Sequence, residues 1–123
     1  MTAQNTGDFL VVGIGASAGG LAALKSFVGQ LSPPTGMVFV VVQHLDPTHK
    51  SMLSALLGRQ SALTVCEAED GATLTPETIY VIPPHCYLEV EEGCIRLTEF
   101  DAETGPRRSV DLLFRSLARE CGD

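Results

Sequence analysis

Basic residues are scarce in this chain: eight lysines and arginines stand against fifteen aspartates and glutamates, a net charge of -7. The one adjacent basic pair, Arg107 and Arg108, stands alone. Tracking a phosphate backbone needs a basic footprint, so no nucleic-acid partner is expected. Long apolar runs are also missing. The longest, Met37 to Val42, is the length of a strand, whereas roughly 20 apolar residues are needed to span a bilayer, so no membrane insertion is expected. The first eight residues, MTAQNTGD, carry no basic cluster ahead of an apolar stretch and do not read as a secretory signal. A cytoplasmic location is the expectation. Cys66, Cys86, Cys94 and Cys121 show no C-x-x-C spacing, and they read as reduced packing residues. His85 and Cys86 are adjacent, but no second pair stands at ligand spacing. No metal and no cofactor is expected.

What remains is one domain. A chain of about 150 residues buries roughly two thirds of its unfolded surface, so the 123 residues here suffice for one sizeable core. Residues 1–8 read as a polar extension and 9–123 as the domain. Phe9 to Ile14 is a near-continuous apolar run, followed by GIGASAGG and then by Leu21, Leu24, Phe27, Val28 and Leu31 at helical spacing. Met37 to Val42 is β-branched without polar alternation, as expected of a strand covered on both faces. Strand, glycine turn, helix and strand make a βαβ unit and predict a parallel sheet.

Asp46 and Pro47 suit a helix N-cap and first position, with Met52, Leu53, Leu56 and Leu57 as the apolar stripe and Gly58 as the stop. Leu63–Cys66 and Thr78–Ile82 read as strands separated by a loop with an Asp70-Gly71 turn signal. Cys86–Val90 and Cys94–Thr98 flank Glu91, Glu92 and Gly93, which suits a hairpin. Ser109 is a helix cap with Asp111 in the first turn. Val110, Leu113, Phe114, Leu117, Ala118 and Cys121 share one face, and Gly122 ends the helix. The expected architecture is a Rossmann-like, three-layer α/β domain. Its sheet is mainly parallel, with a β-hairpin, and is incomplete at the C-terminus.

GIGASAGG fits two templates. Gly13, Gly15 and Ala18 match G-x-G-x-x-A, in which glycines let the backbone approach a pyrophosphate at a helix N-terminus. Gly15, Ser17 and Gly19 match G-x-S-x-G, the turn that projects a nucleophilic serine above a sheet edge. An ordinary tight connection without chemistry is the third reading. A dinucleotide fold commonly carries an acid at the end of the second strand, but here Gln43 and His44 occupy that place. In a parallel sheet the carboxyl ends of neighbouring strands share one edge, where Ser17 and His44 could meet. A serine needs a base to take its proton, and imidazole is the usual one. The competing reading of His44 is a satisfied histidine at a strand end.

Four ordered pieces, VVGIGASAGG, VVVQH, EAEDG followed by a strand and two prolines, and RSVDLLFRSLA, resemble the catalytic domain of the chemotaxis protein-glutamate methylesterases, the CheB type. The resemblance implies hydrolysis of glutamate methyl esters on the cytoplasmic helices of chemoreceptors, sometimes with deamidation of receptor glutamines. It implies Ser17 as nucleophile and His44 as general base. The Ala18 backbone N–H, just after the nucleophile, would serve as oxyanion donor. Ala18 replaces a frequent Thr, and Arg108 a frequent Pro. The family's third triad member is an Asp in a glycine-rich segment expected beyond residue 123. Asp46, Asp70 and Asp111 do not match it, so the chain by itself is expected to be a weak esterase or an inactive one, although the full domain would be active. The family's frequent regulatory receiver domain is also not found ahead of residue 9. An N-terminal methylesterase domain without a receiver resembles proteins in which it is fused to a receptor methyltransferase, so a fused or separate methyltransferase is an expected partner.

Overall fold

The computed structural model describes residues 2–6, 9–16, 21–43, 53–83, 86–99 and 109–120. Its centre is a pair of parallel strands, β2 (Phe9–Ala16) and β3 (Met37–Gln43), in register from Leu10↔Met37 to Ala16↔Gln43. Val11 and Val38 to Val42 are almost completely buried, because both faces of these strands are covered and no position is left for a polar residue. β4 (Thr64–Glu67) and β5 (Thr78–Val81) extend the parallel sheet, and β1 (Thr2–Thr6) joins β2 antiparallel. The order is β1-β2-β3-β5-β4.

α1 (Leu21–Gly29) and α2 (Leu53–Gln60) cover one face. Leu24 and Val28, one turn apart on α1, are buried with Leu57 of α2 against Val12, Ile14, Phe39, Val41, Ile79 and Val81. Phe27 adds an edge-to-face contact with Phe39, centroids 5.9 Å apart, a geometry that favours aromatic pairs. The other face is covered by α3 (Ser109–Glu120) and a hairpin of β6 (Cys86–Glu91) and β7 (Cys94–Glu99). Leu113, Leu117, Leu88, Val90 and Ile95 pack there on Val11, Val38, Val40, Val42 and Tyr80. Three layers result, as the periodicities predict.

The hairpin is a separate two-stranded sheet. Its two-residue turn has Glu92 at φ 53° and Gly93 at φ 75°, the paired positive values of a type I′ connection. It is fastened to the loop between β4 and β5 by backbone bonds: Gly71 N–H to Ile95 O at 2.7 Å, Ile95 N–H to Ala72 O at 2.8 Å, and Leu74 N–H to Gly93 O at 2.9 Å. Asp70 Oδ1 accepts from Leu97 N–H at 2.8 Å, and Gly71 has φ 83°, so the Asp-Gly turn is also a clasp.

Three expectations change. Residues in the polar extension form β1, whose composition does not announce a strand. α2 continues through Gly58 to Gln60, because Ser61 N–H bonds to Leu57 O at 3.0 Å and closes a further turn. Gly13 and Gly15 belong to β2, not to the turn after it. The Asp46-Pro47 cap and Gly122 lie outside the described residues.

Candidate active site

The carboxyl end of the sheet is where the two candidate residues enter. β2 and β3 are neighbours and parallel, and their last register pair is Ala16↔Gln43. Ser17 follows the first of these residues directly and His44 the second. Ser17, Ala18 and His44 lie outside the described residues. β5 ends on the same side of the sheet: Val41 pairs with Val81, and Ile82 N–H donates to Val41 O at 3.0 Å. Gly15 is exposed. Val42, beside it in register, is fully buried. The edge therefore rests on a dry, closely packed base.

Gly13 has a different task from the one its motif suggested. A Cβ built on it would stand 2.8 Å from Leu117 Cδ1 and 3.2 Å from Phe114 Cε1, closer than side chains tolerate. The missing side chain lets α3 lie against β2. A glycine spent on helix packing within a strand is not a phosphate cradle at a helix N-terminus.

The acids divide by place. Asp70 is occupied as the hairpin clasp. Asp111 is in the first turn of α3, with its side chain outside the described set. Asp46 lies outside it altogether. Cys66 and Cys86 do not read as nucleophiles. Burial pushes the Cys66 thiol up, helped by the Glu69 carboxylate. Burial does the same to Cys86, with Glu99, Glu67 and Asp70 adding to it. A raised thiol is less nucleophilic at neutral pH. Among the described residues, no three His, Cys, Asp or Glu side chains are grouped to hold a metal ion, and no helix is long and apolar enough to cross a membrane.

Sequence reasoning missed Glu77, whose carboxylate accepts more hydrogen bonds than any other among the described residues. Glu77, at φ 66°, sits at the opposite, amino end of the sheet. Its carboxylate accepts from Thr35 N–H at 2.8 Å, Thr35 Oγ1 at 3.1 Å and Gly36 N–H at 2.6 Å. The Thr35 N–H above all holds the carboxyl below its ordinary range, against an opposing effect of burial and with help from Gly36, the Thr35 hydroxyl and Met37 N–H. Its own N–H donates to Met37 O at 2.8 Å. No local pattern could reveal this, since the partners lie 41 and 42 residues away.

Comparison with known proteins adds the family context. A sequence profile described as CheB methylesterase matches residues 12–123. A protein-glutamate methylesterase/protein-glutamine glutaminase of Caulobacter vibrioides is 42% identical over 117 residues, covering 92% of this chain and 34% of that protein. Its counterpart in Geobacillus kaustophilus is 40% identical over 112 residues, covering 88% and 32%. The chain thus spans about a third of the length of these relatives. The crystal structure of the Thermotoga maritima CheB methylesterase catalytic domain superposes with a TM-score of 0.77 at 29% identity, over 98% of this chain and 63% of that one.

Proposed function

Since this chain belongs to the CheB methylesterase family, we propose that it carries the nucleophile and general base of a serine-type esterase acting on glutamate methyl esters of chemoreceptors, with deamidation of receptor glutamines as a second reaction. The observation that carries the proposal is the Ala16↔Gln43 register pair at the carboxyl end of two parallel strands. Neighbouring strands are about 4.8 Å apart, and Ser17 and His44 are each one peptide step, about 3.8 Å, beyond that pair. Their order in the chain and the topology of the sheet therefore serve one edge, the edge at which open α/β sheets bind ligands.

The chemistry is acyl transfer in two stages. His44 accepts the Ser17 hydroxyl proton as the oxygen attacks the ester carbonyl; the C–O bond to the methoxy group breaks, and His44 returns the proton so that methanol leaves. A water then gives its proton to His44 and attacks the acyl-enzyme, freeing a glutamate carboxyl and Ser17. The Ala18 N–H and the start of α1 stabilise the negative oxygen in both stages. The substrate is the methylated glutamate of a receptor's cytoplasmic helices.

A fluorophosphonate probe tests this directly, because only an activated serine is labelled. In the chain extended through the family's glycine-rich Asp segment we expect labelling, none with Ser17→Ala, and much slower labelling with His44→Ala. Labelling that survives Ser17→Ala, or none in the extended protein, overturns the reading and leaves an interaction domain without turnover.

A further inference from the structure

β3 is the strand whose side chains say least about its register. Val38, Phe39, Val40, Val41 and Val42 are all buried, with alternate residues in the cores on the two faces of the sheet. In a strand with one wet face, a slip of one residue turns the core outward and is strongly opposed. Here a slip that draws Met37 into the place of Val38 puts an apolar residue at every place from Val38 to Gln43, so the pattern resists it only through the misfit of Phe39. The register nevertheless decides the carboxyl edge. The same slip would set Val42 opposite Ala16 and carry Gln43, with His44 after it, about 3.3 Å further along the strand.

Directional bonds at the other end of the strand supply what the pattern does not. Glu77 directly precedes β5. Its N–H donates at 2.8 Å to the carbonyl of Met37, the first residue of β3, and its own carbonyl accepts at 3.2 Å from the N–H of Thr64, the first residue of β4. Its carboxylate accepts the N–H groups of Thr35 and Gly36, and Gly36 O accepts Leu10 N–H of β2 at 3.2 Å. The Thr35 hydroxyl, which donates to the carboxylate at 3.1 Å, accepts Met37 N–H at 3.1 Å. All four parallel strands are thus tied at their amino ends through one residue and its immediate partners. Successive N–H groups converging on one anion, with Gly36 at φ 69°, make a backbone nest. Glu77 itself stands at φ 66°, where glycine is the default, so a glutamate kept there is kept for its carboxylate.

We propose that Glu77 is the register pin of the parallel sheet, a positioning residue that holds Gln43 opposite Ala16 from the amino end of β3. Drawing Met37 forward by one place would pull Thr35 and Gly36 off the carboxylate, so the slip that the valines tolerate is the one the nest forbids. The carboxylate acts by filling the nest, and a small free carboxylate fills it in the same way once the side chain is gone. That the pin also sets His44 against Ser17 rests on the esterase reading; the pin itself does not.

The test compares the chain with Glu77→Gly, which suits the positive φ but has no carboxylate, and with Glu77→Gln, which keeps the side chain without its charge. Amide hydrogen exchange and relaxation dispersion, which reports a minor register, are followed along β3 in sodium formate and in sodium chloride at equal ionic strength. In chloride we expect Glu77→Gly to exchange about threefold faster as far along β3 as Val42 and Gln43, the scale of an exposed charged contact, with dispersion appearing at Gln43. Formate should reverse both changes. Glu77→Gln should show them in smaller degree and not respond to formate, because its amide still fills the nest. Parent-like exchange in Glu77→Gly, acceleration confined to Thr35–Met37, or the same behaviour in formate as in chloride overturns the proposal. All readings are taken without probe or substrate, so they stand apart from whether Ser17 is labelled.

Discussion

On the face covered by α1 and α2, the buried contacts are apolar and each helix is the next described element after a strand it covers, as α1 with Leu24 and Val28 is after β2 with Val12 and Ile14. The face covered by α3 and the hairpin joins segments remote in sequence, and there polar groups fix the register. Ser116, fully buried, donates to Leu113 O at 2.8 Å and accepts Val90 N–H at 3.0 Å, tying α3 to β6. Tyr80 Oη accepts Thr75 N–H at 3.0 Å and donates to Thr73 O at 3.3 Å. Arg119 pairs with Glu89 at 2.8 Å on the exposed rim, where such a pair contributes little. Apolar burial is non-directional and secures a helix whose position its short connection already restricts. A remote segment needs directional bonds as well.

Substitutions can break this contrast. The largest effect belongs to the apolar face: Leu57→Ala removes a fully buried side chain and should cost about 2–5 kcal/mol in urea unfolding. Next is Gly13→Val, which pushes a side chain into Leu117 and Phe114; overpacking of this kind costs about 1–3 kcal/mol. Its loss should be partly recovered by Leu117→Ala in the same chain. An additive loss would show that α3 does not bear on Gly13. Ser116→Ala leaves Val90 N–H buried without its acceptor, at about 1–3 kcal/mol, and amide exchange at Val90 should accelerate more than exchange in β2. Tyr80→Phe should cost less, about 0.5–1.5 kcal/mol, with the effect confined to the loop between β4 and β5.

The smallest effect sharpens the contrast by acting on neither face. Glu77 joins the starts of β3 and β5 through the Thr35 loop. Its carboxyl is held below the ordinary value of 4.5, so its stabilisation is complete above that value and is lost as pH falls through the lower folded value. Glu77→Gln should lower the melting temperature at pH 7. The gap from the parent should narrow below about pH 4.5 as both proteins come to carry a neutral side chain. A gap that is unchanged on acidification would mean that charge has no part in the clip.

The same contrast explains what could be read from sequence. β2, α1 and β3 follow from the valine-rich runs and the 3.6-residue spacing of Leu24, Phe27 and Val28, because the interactions that make them are local. The hairpin was legible in Glu92-Gly93 and the turn in Asp70-Gly71 for the same reason. β1 was not, since TAQNT pairs through backbone groups and has no apolar alternation to advertise it. Gly58 misled as a stop because a helix tolerates glycine at about 1 kcal/mol relative to alanine when the next hydrogen bond can still form. Gly13 misled more instructively: the motif is satisfied by letters, while its reason for being glycine lies in Leu117. Of the candidate site, sequence supplied Ser17, Ala18 and His44, and the fold supplies neighbouring parallel strands that lead into Ser17 and His44; the placement of those side chains is what the labelling experiment addresses.

The fit of Gly13 against Leu117 also sets a schedule. β2 is synthesised before α3, and the side chain that covers Gly13 on the second face comes 104 residues later by their numbering. At about 5–20 residues per second on the ribosome, that is an interval of roughly 5–20 seconds. Until the hairpin and then α3 are made, the valines of β2 and β3 can be covered on the α1 and α2 side only. Runs such as MVFVVV, uncharged and β-branched, are the kind that pair with other chains when left open. The second face of these strands therefore stays partly open for as long as α3 is unmade, and Leu117 closes it over Gly13.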